Sequence, residues 1–277
     1  MFDRPSYKQI AKQQLKGRYL TPVLITLFTM AIAFLLELPT IIKGGPEAIA
    51  SQIYYGDSYT IADYNVPSLL LPSLALIFVE AVVLIATNRF YIVMSRTKEQ
   101  LSFSTFIKGF NLWLQGFLGF LWYTLWVFLW ALLFYIPGIV KSFAYSQMFY
   151  ILAEHPNVGV RKAMKLSMAM TKGYKGDLFV MELSFLGWMI LAPFTLGILY
   201  FWLIPYMEMS YTNAYHALKA QALKNGTLTP EDFGPTDPTL PGAQENFSGS
   251  TETVQNGESL APTSTASEET SDSETTE

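Results

Sequence analysis

The chain has no cysteine, only two histidines, and no lysine or arginine beyond Lys224. The missing thiols exclude disulfide frameworks, thiolate metal sites and cysteine nucleophiles together. The two histidines, His155 and His216, form no HExxH pair, and neither a GxSxG elbow nor a glycine-rich phosphate loop occurs. No enzyme activity, catalytic residue, metal or cofactor is therefore expected, and no nucleic-acid partner. Charge of any sign is scarce. Only 14% of residues are Asp, Glu, Lys or Arg against 51% hydrophobic, where an average soluble domain is about a quarter charged.

What fills the sequence instead is long apolar runs. A helix needs about 20 mostly apolar residues to cross a bilayer core. Tyr19 to Leu38 and Ser68 to Asn88 each fit one crossing, whereas Leu112 to Ala153 and Leu178 to Ala214 are too long for one. The first run follows a basic leader and contains Ala31-Ile32-Ala33, which imitates a cleavage site, but it outruns a signal core of 7 to 15 residues. It reads as an uncleaved anchor.

Lysine and arginine set the orientation. The leader carries Arg4, Lys8, Lys12, Lys16 and Arg18. The stretch from Arg89 to Asn111 carries four bases, and Glu154 to Asp177 carries Arg161, Lys162, Lys165, Lys172 and Lys175. All three belong in the cytoplasm, and the loop from Pro39 to Pro67, with one base against three acids, belongs outside. Both long runs then start and finish on the same side, so each must go out and return. The bends are expected at Pro137 and Gly138, and between Pro193 and Gly197, where proline removes a helical hydrogen bond and glycine frees the backbone.

The expected fold is an all-α, polytopic membrane helical bundle. Its membrane domain, residues 1–224, has about six segments near 19–38, 68–88, 113–136, 139–153, 178–193 and 195–214, with both termini cytoplasmic. Residues 225–277 hold eleven of the 22 carboxylates and no base, which leaves residues 1–224 with a charge of +7. Rich in Ser, Thr, Pro and Gly, this tail cannot bury enough apolar surface to offset its ordering entropy and reads as disordered. The triplet Asn246-Phe247-Ser248 fits a glycosylation acceptor, a pattern common by chance.

Ionisable residues at membrane depth are costly and mark candidate sites. Glu80, deep in the second segment, paired with Lys141 near the first bend, would make an intramembrane polar site, with Glu182 a third candidate and Glu208 nearer the end of its segment. The bland reading is a single structural ion pair. Candidate lipid-headgroup contacts are Lys8, Lys12 and Lys16 on an amphipathic leader helix, and Arg161, Lys162, Lys165 and Lys172 on a second basic helix; the plain alternative is a topological signal. Trp122, Trp126 and Trp130 share one helix face, which suits packing or lipid contact better than a ligand wall.

"LLFYIPGIVKSFAYSQMFYILAEHP" (Leu132 to Pro156), "AMKLSMAMTKGYK" (Ala163 to Lys175), "LSFLGWMIL" (Leu183 to Leu191) and "FWLIPY" (Phe201 to Tyr206) resemble the domain of unknown function 975 family of bacterial integral membrane proteins, as does "AKQQLKGRY" in the leader. The resemblance implies a multi-pass protein of the bacterial plasma membrane and carries over no catalytic residue. The function expected is a non-enzymatic scaffold or accessory factor, with the lipid bilayer as one partner and a protein partner met through the acidic tail. The alternative is a permease or lipid-handling transporter using Glu80 and Lys141.

Overall fold

The computed structural model describes residues 2–43 and 66–241. The expected outer loop between 44 and 65, the end of the acidic tail from 242 and the Asn246 triplet lie outside the described residues. Among the described residues there is no strand. The helices are α1 (Arg4–Leu15), α2 (Leu20–Lys43), α3 (Val66–Arg96), α4 (Phe103–Lys108), α5 (Trp113–Leu133), α6 (Tyr135–Tyr145), α7 (Met148–Glu154), α8 (Val160–Met170), α9 (Lys175–Leu191), α10 (Tyr200–Lys224) and α11 (Pro230–Phe233).

Among the described residues, four stretches are long and apolar enough to cross a membrane: Leu20–Leu38, Ser73–Arg96, Phe103–Leu133 and Lys175–Thr195. These account for α2, α3, α5 and α9. The other two expected segments fall short by length or by polarity. One is divided between α6 and α7, and the other, α10, buries Ser210, Thr212 and Asn213 among its apolar residues.

The first bend is not where proline and glycine place it. Phe134 takes an extended conformation (φ −154°, ψ 133°) and ends α5, so the chain turns at Phe134 and Pro137 falls inside the first turn of α6. The amide hydrogens of a first turn have no partner within the helix, so a proline ring there removes nothing. Gly138 serves a different purpose. A Cβ on it would lie 2.8 Å from the Ala131 Cα, so glycine is what lets α6 fold back tightly onto α5. The second bend lies where expected: Pro193 sits in a 3-10 turn over Ala192–Thr195, and Gly197 follows in the left-handed region at φ 80°, where a side chain is strained.

The returning limb breaks at Ser146 and Gln147 because a side chain enters its hydrogen-bond ladder, a known cause of helix kinks. The Gln147 amide donates to Ser167 Oγ (3.1 Å), and that hydroxyl donates to the Ala144 carbonyl (2.8 Å). Ser167 lies on α8, whose buried face is Ala163, Met164, Leu166, Ser167 and Met170. The Ser167 hydroxyl thus serves both orphaned backbone groups, with the Thr171 hydroxyl a second donor to the Ala144 carbonyl (3.3 Å); left unsatisfied, such groups cost about 1–3 kcal/mol each when buried.

α1 begins at an Asp3 cap whose carboxylate accepts from the Ser6 amide. It is packed into protein: Ala11 and Leu15 are fully buried in one cluster with Phe90, Tyr91 and Met94 of α3, Phe106 of α4 and Met209 of α10. The same cluster explains why α3 runs to Arg96, eight residues past the expected segment. Its last two turns are enclosed by protein, with Phe90 through Met94 all buried.

Residues 225–241, which composition alone assigns to the tail, are ordered. A capping box between Thr229 and Asp232 starts α11, and Leu228, Phe233 and Leu240 are buried. These three supply the apolar anchorage of residues 225–241.

Candidate functional site

The most concentrated chemistry lies at one end of the bundle. α7 is buried along its whole length and stops at Glu154, since His155 leaves the helical region (φ −129°) and Pro156 cannot continue the ladder. The Glu154 carboxylate, 5% exposed, accepts from Arg96 at the end of α3, from Lys219 Nζ (2.9 Å) near the end of α10, and from the Tyr215 hydroxyl one turn earlier. Lys219 also donates to His155 Nε2 (2.8 Å), while His155 Nδ1 faces the Pro235 carbonyl (3.3 Å). With Nε2 accepting and Nδ1–H donating, the imidazole is neutral; the 3.8 Å approach of His155 to Glu154 is then no ion pair.

A second pair extends the cluster. Arg89, two turns before Arg96 on the same face of α3, binds the Asp237 carboxylate and the Thr239 hydroxyl. The Asp237 amide donates to the Glu154 carbonyl (2.9 Å). Ser95 and His216 close the inner edge at 2.8 Å. Phe233 covers the cluster, its ring 5.4 Å from that of His155 and 4.7 Å from Lys219 Nζ.

The electrostatics follow from burial and partners. Burial alone would raise the Glu154 carboxyl, but Lys219, Arg96, His155 and the Tyr215 hydroxyl together bring it down to about 2. Burial, with Lys219 beside it, lowers His155 to about 4. Burial likewise lowers His216 to about 4 against the pull of Glu154, and lowers the Lys219 ammonium. Asp237 is held below the usual carboxylate range because hydrogen bonds from Thr239 and Arg89 outweigh its burial. A carboxylate with both oxygens engaged and its proton lost down to about pH 2 is a poor general base at neutral pH. The arrangement locks α3, α7 and α10 to one another.

The expected intramembrane site does not assemble. Glu80 is exposed on α3, whereas Lys141 lies over the Trp130 ring at 4.5 Å. Glu182 accepts from the Tyr211 hydroxyl at 3.0 Å. Of the headgroup candidates, Lys8 is turned inward: it donates to Ser184 Oγ (2.5 Å) and lies 3.8 Å from the centre of the Phe185 ring. Lys12 and Lys16 are exposed, Lys12 over Tyr206, and so are Arg161, Lys162, Lys165 and Lys172. Arg161 covers Trp122 at 5.1 Å. The tryptophan face of α5 thus receives cations at both ends, a contact worth about 0.5–2 kcal/mol. Among the described residues no group of three or more His, Asp or Glu could hold a metal ion.

Sequence reasoning missed Arg89, Arg96, Glu154, Tyr215, Lys219 and Asp237 as one unit. The available signal was local: Glu154 and His155 stand side by side at the end of an apolar limb, ahead of five bases.

Residues 134–222 match the model of a family described as protein of unknown function (DUF975). The match spans α6 to most of α10 and includes Glu154, His155, Tyr215 and Lys219. No curated protein and no solved structure matches the chain.

Proposed function

We propose that the chain, whose residues 134–222 match the model of the DUF975 family of proteins of unknown function, is a six-segment integral protein of the bacterial plasma membrane, a non-enzymatic scaffold or accessory factor with both termini in the cytoplasm. The observation that carries this reading is that helix ends assigned to one side by charge are tied together at one end of the bundle. Arg18, between α1 and α2, donates to the Thr97 carbonyl (2.8 Å) after α3, and Arg96, Glu154 and Lys219 join the ends of α3, α7 and α10. Between consecutive tied points the chain must go out and come back, through α2 and α3, α5 and α6–α7, and α9 and α10.

The topology is testable because the chain has no cysteine. Single cysteines at Ser51, Tyr135 and Phe194 should react with an impermeant maleimide on intact cells, whereas one at Lys162 should react only after permeabilisation. Tyr135 and Phe194 are 76% and 81% exposed; Tyr135 is preferable to Gly138, where a side chain would strike Ala131. Protection at both bends with Ser51 labelled would mean re-entrant hairpins instead of crossings.

The scaffold role, as opposed to a permease, is supported by the commitment of Lys141 to Trp130 and of Glu182 to Tyr211. In a host lacking the native copy, deletion of residues 242–277 should abolish complementation while Glu80→Gln retains it; the reverse pattern would favour transport. The deletion spares 225–241, whose loss would disturb the bundle itself.

A further inference from the structure

We infer that the polar end of the bundle is a docking groove for an acidic, aromatic-anchored extended peptide, and that residues 233–241 occupy it in cis. The segment meets the bundle in the manner of a short bound peptide. Phe233 fills a pocket against His155 and Lys219, the Asp237 carboxylate takes Arg89, Leu240 is buried to 3% exposure, and the Pro241 carbonyl accepts from Arg96 (3.5 Å). Its backbone pairs with the groove at two points, Asp237 N–H to the Glu154 carbonyl and the Pro235 carbonyl to His155. An apolar anchor, one desolvated charge pair and a few main-chain bonds form the usual pattern of peptide recognition.

The groove floor is complementary to such a ligand. Arg89, Arg96 and Lys219 face it with Glu154 as the only carboxylate of the bundle among these contacts, so an acid is needed to balance it. The occupant brings Asp237, preceded by Glu231 and Asp232. It is also separable. Residues 225–229 join it to α10 through a turn with Gly226 at φ 64°, and α11, which leads into it, is started by its own capping box. A partner segment presenting Phe, then Asp four residues on and a leucine three beyond that would make the same contacts. The inference is independent of the scaffold reading, since a transporter would carry the same groove.

The test uses the full chain in detergent with a fluorescein-labelled peptide of residues 229–241. A short tether holds its ligand at an effective concentration of about millimolar, so the wild type should bind the peptide at least about tenfold more weakly than a Phe233→Ala, Asp237→Ala variant whose own segment is released. Adding Arg89→Ala to that variant should remove the binding. No saturable binding by the released variant up to about 1 mM, equal binding by the wild type and the released variant, or equal binding by the released variant with and without Arg89→Ala, would overturn the inference. Displacement of the peptide by phosphatidylglycerol would overturn it in favour of a lipid headgroup. If the released variant does not stay monodisperse, a protease site inserted between Gly226 and Thr227 of the wild type serves instead. The cut segment should remain bound at low salt and exchange with added peptide; a segment that leaves at once or never exchanges refutes the groove.

Discussion

Alanine at Glu154 should destabilise the folded bundle by about 3–5 kcal/mol, the usual cost of removing one partner from a buried ion pair, and lower the thermal midpoint in detergent by on the order of 10 °C. The reason is what the substitution strands. Arg96, Lys219 and the Tyr215 hydroxyl all donate to this carboxylate, and without it two cations and a hydroxyl remain in a site where Tyr215 is fully buried and the Lys219 side chain is 17% exposed. The Glu154 backbone would still hold Asp237. The loss should therefore appear as separation of α3 and α10 from α7, with residues 233–241 loosened in turn. A triple variant, Glu154→Leu with Arg96→Met and Lys219→Met, should regain most of the stability, because replacing a whole buried ionic set by apolar groups is often neutral or better. A loss below about 1 kcal/mol for Glu154→Ala, the range of an exposed pair, would show that the carboxylate is not the fastening point.

That cluster was the least legible part of the sequence, and the cause is geometric. Arg96, Glu154 and Lys219 lie on three helices separated by 58 and 65 residues, and their meeting depends on how those helices pack. Read singly, Arg96 and Lys219 count as topological charges, and that count exhausts what composition can say of them. Local signals fared better. Apolar run length found α2, α3, α5 and α9, and the Pro193 to Gly197 bend stands where its residues put it because a left-handed glycine is a backbone requirement written in one letter. Pro137 and Gly138 misled by three or four residues, since proline fits a first turn as well as a break and Gly138 answers to the nearness of Ala131. The tail shows the cost of averaging. Over 53 residues it reads as disordered, yet Leu228, Phe233 and Leu240 gather in its first part and secure that part to the bundle.

Acid should weaken the bundle from about pH 6.5 downward, and His155 is the principal cause. Its pKa falls to about 4 in the folded chain and returns to about 6.5 when unfolded. Between those values the unfolded chain holds a proton that the folded chain does not, so stability is complete above the upper value and is lost as pH falls toward the lower one. A gap of that size corresponds to about 3 kcal/mol. His216, lowered to about 4 but only half-buried, adds a smaller share in the same window. Glu154 contributes later: its folded value of about 2 makes its stabilisation disappear only below the ordinary carboxyl range near 4.3. Unfolding midpoints at about pH 7, 5.5 and 4.5, at constant ionic strength, should fall steadily, and His155→Gln should flatten the upper part of the curve, since a glutamine can accept from Lys219 and donate to the Pro235 carbonyl without titrating. A wild-type profile that is flat over this range, or one that His155→Gln leaves unchanged, would refute the assignment. Charging His155 denies Lys219 one of its two acceptors, leaving it Glu154, and sets another positive charge among Arg89, Arg96 and Lys219, beneath Phe233. The strap over residues 233–241 should consequently loosen before the helices separate, visible as earlier protease access at Gly226 to Thr229 than at any point between α3 and α7.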